Sequence, residues 1–344
     1  MKYLSLFIVI CMAMIIHACS SPKLPSDQGK IITVTGVIDP AQLGTTLTHE
    51  HLLVDFIGAD STGYHRWNRD TVVEVVASYL EEISNLGVHS FVECTPAYLG
   101  RDPLLLKRLS EQTGIRILTN TGYYGARSNK FIPGEVFDMD PETLAAVWID
   151  EFRNGIEETG IRPGFIKIGV DSDDTLSASH RLLINAAAIA HKKTGLVIAS
   201  HTGPESPAFE QIAILESRGV SPSAFIWVHA QGGSQEGIIA AAKRGAWISL
   251  DNVNVKRDKN PGSRSSTQWF VERITAMKDA GVLDRVLISH DAGWYRPGEP
   301  GGGNFRGFTD IFTTLIPALG EAGFTGEEID QLLLVNPAEA FAVR

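Results

Sequence analysis

Beyond residue 30, short apolar runs rich in β-branched residues alternate with longer stretches whose apolar positions recur every three or four residues. Eight short runs read as strands: 45–51, 90–95, 115–121, 164–170, 196–202, 224–230, 246–252 and 285–291. Helical patterns over 72–86, 141–159, 179–194, 235–244 and 266–280 each stop at or beside a glycine, the residue a helix-to-strand connection needs. This alternation predicts βαβ units on a parallel sheet. Eight of them predict an α/β fold, a closed (β/α)8 TIM barrel spanning 31–344 as a single domain. An open doubly wound sheet is the competitor, but no glycine-rich dinucleotide fingerprint follows the first strand. Two long polar loops, 253–265 and 293–307, follow the last two strands, on the face where barrel enzymes carry their sites.

The first 30 residues follow a different pattern. Lys2 precedes an uncharged apolar run, residues 4–16, too short to span a membrane comfortably and of the length of a secretory leader. The run ends Ile16-His17-Ala18-Cys19, which resembles a bacterial lipobox; this implies a signal peptide over 1–18 and a lipid on Cys19. An ordinary signal peptide cut nearby is the other reading. Residues 19–30 are polar with two prolines and read as a flexible tether. The expected location is therefore outside the cytoplasm, periplasmic or at the cell surface of a bacterium, anchored through the lipid. Cys94 alone remains in the body, so no internal disulfide is expected. A formal net charge of -10 argues against nucleic acid as a partner.

The polar residues that interrupt the strand ends carry the chemistry. Side chains alternate along a strand, so His49 and His51 point one way and Glu50 the other. His201 closes the fifth strand, His229 the sixth and Asp291 the eighth. Each alone reads as an ordinary hydrogen-bonded residue. Barrel strand ends converge, however, and burying four imidazoles and a carboxylate together without a metal is costly. Lys167 lies in the apolar fourth strand; alone it reads as a lysine whose stem packs while its amine reaches water.

Taken together, the His49-Glu50-His51 motif, Lys167 in FIKIGV, His201 in SHTG, His229 in VHA, Asp291 in SHD and Asn336-Pro337-Ala338 resemble the phosphotriesterase family of the amidohydrolase superfamily, over essentially the whole chain from residue 31. The resemblance implies two divalent cations, zinc first among the candidates. His49, His51 and Asp291 would hold one and His201 and His229 the other, with a carboxylated Lys167 bridging them. It further implies a bridging hydroxide as nucleophile and Asp291 as proton acceptor. The expected activity is hydrolysis of a lactone or carboxylic ester, and an anionic group on the substrate is compatible with the local excess of basic residues in the last two loops. A homodimer is an expected assembly.

The chain also departs from the family. Organophosphate-hydrolysing members carry an acidic residue shortly after the sixth-strand histidine and a histidine after the seventh-strand aspartate. Here Ala230-Gln231-Gly232-Gly233 and Asn252 stand there; the arginine that lactone-hydrolysing members often have at the latter position is absent too. Substrate contacts are expected from Tyr98, Tyr123, Tyr124, Trp294, Tyr295, Arg257 and Arg296, which follow the strands. A phosphotriester hydrolase is the alternative within the family. A one-metal deaminase leaves Lys167 without a role, and a non-catalytic ligand-binding lipoprotein leaves the full ligand set unexplained.

Overall fold

A computed structural model describes residues 27–259, 263–264 and 266–344; the leader, Cys19 and the first part of the tether lie outside the described residues. Eight parallel strands form the barrel: β1 (Thr46–Leu53), β2 (Ser90–Glu93), β3 (Arg116–Leu118 continuing as Asn120–Thr121), β4 (Phe165–Gly169), β5 (Ile198–His201), β6 (Phe225–Val228), β7 (Trp247–Leu250) and β8 (Val286–Ile288). The ladder runs β1-β2-β3 and β3-β4-β5-β6-β7-β8, with Thr119 between the two halves of β3. It closes where Asp291 N–H donates to the His49 carbonyl at 3.2 Å and His51 N–H to the Ala292 carbonyl at 3.0 Å. A hairpin, Ile31–Thr33 with Gly36–Ile38, precedes the barrel, and a short strand, Gly293–Tyr295, pairs with β1 after it.

The helices form for local reasons. In α1 (Arg69–Asn85), Val72, Val73, Val76, Leu80 and Ile83 make a buried stripe, and the Asn68 side chain accepts from the N–H groups of Asp70 and Thr71. Helix α2 (Pro103–Thr113) begins on Asp102 and ends on Gly114 at φ 74°. Helix α3 (Pro141–Asn154) is shorter than the periodicity suggests: Gly155 takes φ 94°, and residues 156–158 form a separate tight turn. Helix α4 (Ala178–Thr194) buries four alanines, which let it lie close on the sheet, and ends on Gly195 at φ 75°. Helices α5 (Glu205–Ser217), α6 (Gln235–Lys243) and α7 (Thr267–Asp279) complete the main outer layer. No helix among the described residues is long and apolar enough to cross a membrane.

Parallel pairing fixes the register on which the site depends. Lys167 stands opposite Ala199, Gly169 opposite His201, and His201 opposite Val228. His201 and His229 thus stand at the carboxyl ends of adjacent strands, with Lys167 two residues deeper on β4.

Candidate metal centre

His49, His51, Lys167, His201, His229 and Asp291 all line one chamber of about 80 Å³ at that end of the barrel. One ligand atom from each of His49, His51 and Asp291 lies within 4.8 Å of the others. His51 Nε2 is 3.1 Å and His49 Nε2 3.7 Å from the Asp291 carboxylate. On the opposite wall, His229 Nε2 and His201 Nδ1 are 2.8 Å apart.

The imidazoles are aimed by what lies behind them. Thr95 Oγ1 donates to Glu93, so it accepts from His51 Nδ1–H at 2.8 Å and leaves Nε2 turned inward. Asp251 accepts from His229 Nδ1–H at 2.6 Å and from the His229 backbone N–H at 3.0 Å, and it lies 3.5 Å from His49 Nδ1. Ser249 and Gln231 also donate to Asp251, so this fully buried carboxylate is well satisfied. Glu50 points away from the chamber, as alternation requires. It accepts from Ser289 Oγ, from the backbone N–H and Nδ1–H of His290 and from Ala292 N–H, at 2.7–2.9 Å. These contacts straddle Asp291, which sits in left-handed backbone at φ 51°; His229 at φ 59° and Trp294 at φ 73° share that disfavoured geometry at the rim.

Burial keeps the His49 and His201 pKa values well below the usual imidazole value, with Lys167 and the neighbouring histidines adding to the effect. For His229 burial pushes the same way, but Asp251 outweighs it and the pKa is raised. Burial pushes the Glu93 carboxyl up to about 7.

The donor set fits divalent cations. Neutral imidazole nitrogens and a carboxylate converge from separate strands, a chemistry that suits zinc and its neighbours. Lys167 Nζ is buried among them, and it has no hydrogen-bond partner among the described residues. An unpaired buried ammonium is costly, so the position calls for a change in the amine's chemistry or for a partner.

Around the centre the expected substrate contacts separate. Tyr124 and Trp294 line the chamber with Val54, Phe56 and Leu99, and the Tyr124 hydroxyl is 3.2 Å from the His201 ring nitrogens. Arg296 lines an adjoining polar cavity of about 410 Å³ with Asn252, Asn254, Asn304 and Arg306, which reaches the chamber at His229, Asp291 and Trp294. Tyr98 and Tyr123 do not reach the chamber: they line a separate cavity behind β2 and β3. A position just after a strand did not fix their direction, because Tyr98 adopts φ 62° and the chain turns outward there. Tyr295 is buried and lines neither cavity, and the Arg257 side chain lies outside the described part. Arg306, which the sequence marks only as part of the basic excess of the last loop, donates to the carbonyls of Val253, His290 and Asp291 and so ties both long loops to the end of β8.

Fold and centre together define a metal-dependent hydrolase built on a TIM barrel. The family model of the Phosphotriesterase family matches residues 29–341, and the chain belongs to that family, whose members are binuclear metal hydrolases. A phosphotriesterase homology protein of Escherichia coli (strain K12) is 30% identical over 303 residues, covering 87% of this chain and 98% of the relative. An aryldialkylphosphatase of Saccharolobus solfataricus is 27% identical (89% and 97% covered), and the N-acetyltaurine hydrolase of Homo sapiens 26% (92% and 99%). A solved structure from work on engineering organophosphate hydrolysis from a weak promiscuous lactonase template superposes with a TM-score of 0.80 at 26% identity, covering 91% of this chain and 99% of the other.

Proposed function

We propose that this protein hydrolyses a small lactone or carboxylic ester, with an anionic group on the substrate turned toward Arg296. The observation that carries the reading is the pairing of two cavities across the metal ligands. The chamber is small and largely apolar-walled, suited to an acyl or ring portion, and the adjoining cavity is larger and lined by amides and arginines. The superposition on a lactonase-derived structure supports a lactone or ester.

His49, His51, Asp291, His201 and His229 would hold the cations, with Lys167 between them on β4. Reaction of its neutral amine with CO2 gives a carbamate with release of a proton, placing an anion with two oxygens where an ammonium would otherwise be stranded. Bound divalent cations lower the pKa of water and polarise the scissile carbonyl. The chain supplies the rest. Asp291 takes the proton of the attacking water and returns it to the leaving oxygen. Asp251 and the Thr95–Glu93 pair keep His229 and His51 in the tautomer that faces inward. Trp294 and Phe56 exclude bulk water from the chamber. We further propose that the chain is exported and anchored through Cys19.

Metal-loaded protein assayed on lactones, aryl esters, N-acyl amides and phosphotriesters tests the reading. The highest kcat/KM is expected on a lactone or ester, and activity confined to phosphotriesters overturns it. Metal analysis is expected to find two cations per chain.

A further inference from the structure

The two tyrosines that turn away from the metal chamber belong to a second cavity. The segment from Pro96 to Arg101 is the partition: Pro96 and Leu99 line the chamber, while Ala97, Tyr98 and Arg101 line a cavity of about 280 Å³ on its other side. Among the described residues none lines both.

The walls of this cavity are aromatic. Tyr98 and Tyr123 meet edge to face at 5.3 Å between centroids, and Tyr64 and Trp67 do so at 5.7 Å. The charges around it do not balance. Arg69 pairs with Asp102 at 2.7 Å and stacks on one face of Tyr64. Arg101, buried, is engaged by both oxygens of Glu151 at 2.6 and 2.9 Å. Among the described residues Glu157 has only the Tyr64 hydroxyl as a hydrogen-bond donor, and it lies 3.6 Å from the already engaged Arg101. Three carboxylates against two guanidinium groups leave one negative charge, and it sits on half-exposed Glu157 at the cavity.

We propose that this cavity binds a small organic cation, an amine or quaternary ammonium of about choline size, between Glu157 and the rings of Trp67, Tyr98 and Tyr123. Aromatic faces attract a cation through their quadrupole, and a nearby carboxylate completes the charge. An anion is disfavoured, because the surroundings are net negative. The cavity's separation from the metal ligands makes this site independent of the hydrolytic reading.

Calorimetric titration of the metal-loaded full chain with choline chloride, beside its neutral isostere 3,3-dimethylbutan-1-ol, tests the proposal. Choline is expected to bind about tenfold more tightly than the isostere. Glu157→Gln is expected to remove that preference, leaving the isostere's affinity and the hydrolytic rate where they were. Equal affinity for the two probes, no saturable binding of choline, or unchanged choline binding in Glu157→Gln each overturns it. Glu157 is half exposed, so its substitution leaves the fold intact.

Discussion

The two halves of the metal centre are built differently. On the β1–β8 side, His49, His51 and Asp291 converge within 4.8 Å, and buried carboxylates stand behind them: Glu50 on the neighbours of Asp291, Glu93 through Thr95 on His51. On the β5–β6 side, His201 and His229 hydrogen-bond each other, only His229 is tied to a carboxylate, and the wall opens to the polar cavity. A cation entering the first half meets ligands already held apart in position. In the second half His201 and His229 stand side by side with one carboxylate, Asp251, behind His229. The lesson is that one scaffold can support two groups of candidate ligands unequally, and the Lys167 side chain on β4 enters the chamber they share.

The sharpest way to break that comparison is Lys167→Ala. Hydrolysis is expected to fall by about 10³-fold, the loss of several kcal/mol of transition-state stabilisation. Metal content should drop from two cations to one, and the retained cation should resist chelation. Loss of both cations, or full activity with both retained, shows that the halves are not joined through Lys167. Next is Glu50→Gln, which sets a donor against the Ala292 N–H in a fully buried place. It is expected to cost about 3 kcal/mol and to lower Tm by roughly 6–12 °C in thermal unfolding. Asp251→Asn bears mainly on the other half, since Asp251 holds His229 at 2.6 Å and lies 3.5 Å from His49: metal affinity and kcat/KM are expected to fall about 10–100-fold with a smaller change in Tm. If both variants lose stability and metal affinity in the same ratio, the two halves are equivalent and the comparison fails.

The convergence of the six candidate ligands on one chamber was legible in the sequence, because most sit at strand ends and strand ends meet. The strands and the glycines after them were equally legible, since both signals are local. Helix α3 was overread because the pattern runs through Gly155, whose positive φ ends the helix. The supporting residues were hidden for a different reason. Glu50 meets Ser289, His290 and Ala292 some 240 residues away, and Arg306 reaches Val253 across 53 residues. Nothing in a local pattern marks such partners. Tyr98 and Tyr123 show the converse: the right strand ends, but a backbone turn that presents them to another cavity.

The smallest expected effect separates the two halves by their protons. In chelator-treated protein, His49 and His201 have folded pKa values below their unfolded value of 6.5, so the unfolded chain binds more protons below that pH. Each therefore makes stability fall as pH drops through 6.5. Glu93, raised from 4.5 to about 7, has the opposite sign: the folded state binds its proton more readily, and stability falls as pH rises between those values. His229, also raised, opposes only above 6.5. From pH 6.5 down to 4.5 the protons taken up by His49 and His201 on unfolding, joined by that of His191, whose pKa burial also lowers, outweigh that of Glu93, so stability falls as the pH drops. Glu93→Gln removes the opposing proton while mimicking the neutral carboxyl. Denaturant titrations across that window should show its acid slope steeper than the parent's. An unchanged slope would mean that Glu93 is ionised in the folded state, and that the β1–β8 half is held by a buried charge rather than by a neutral hydrogen-bonded group.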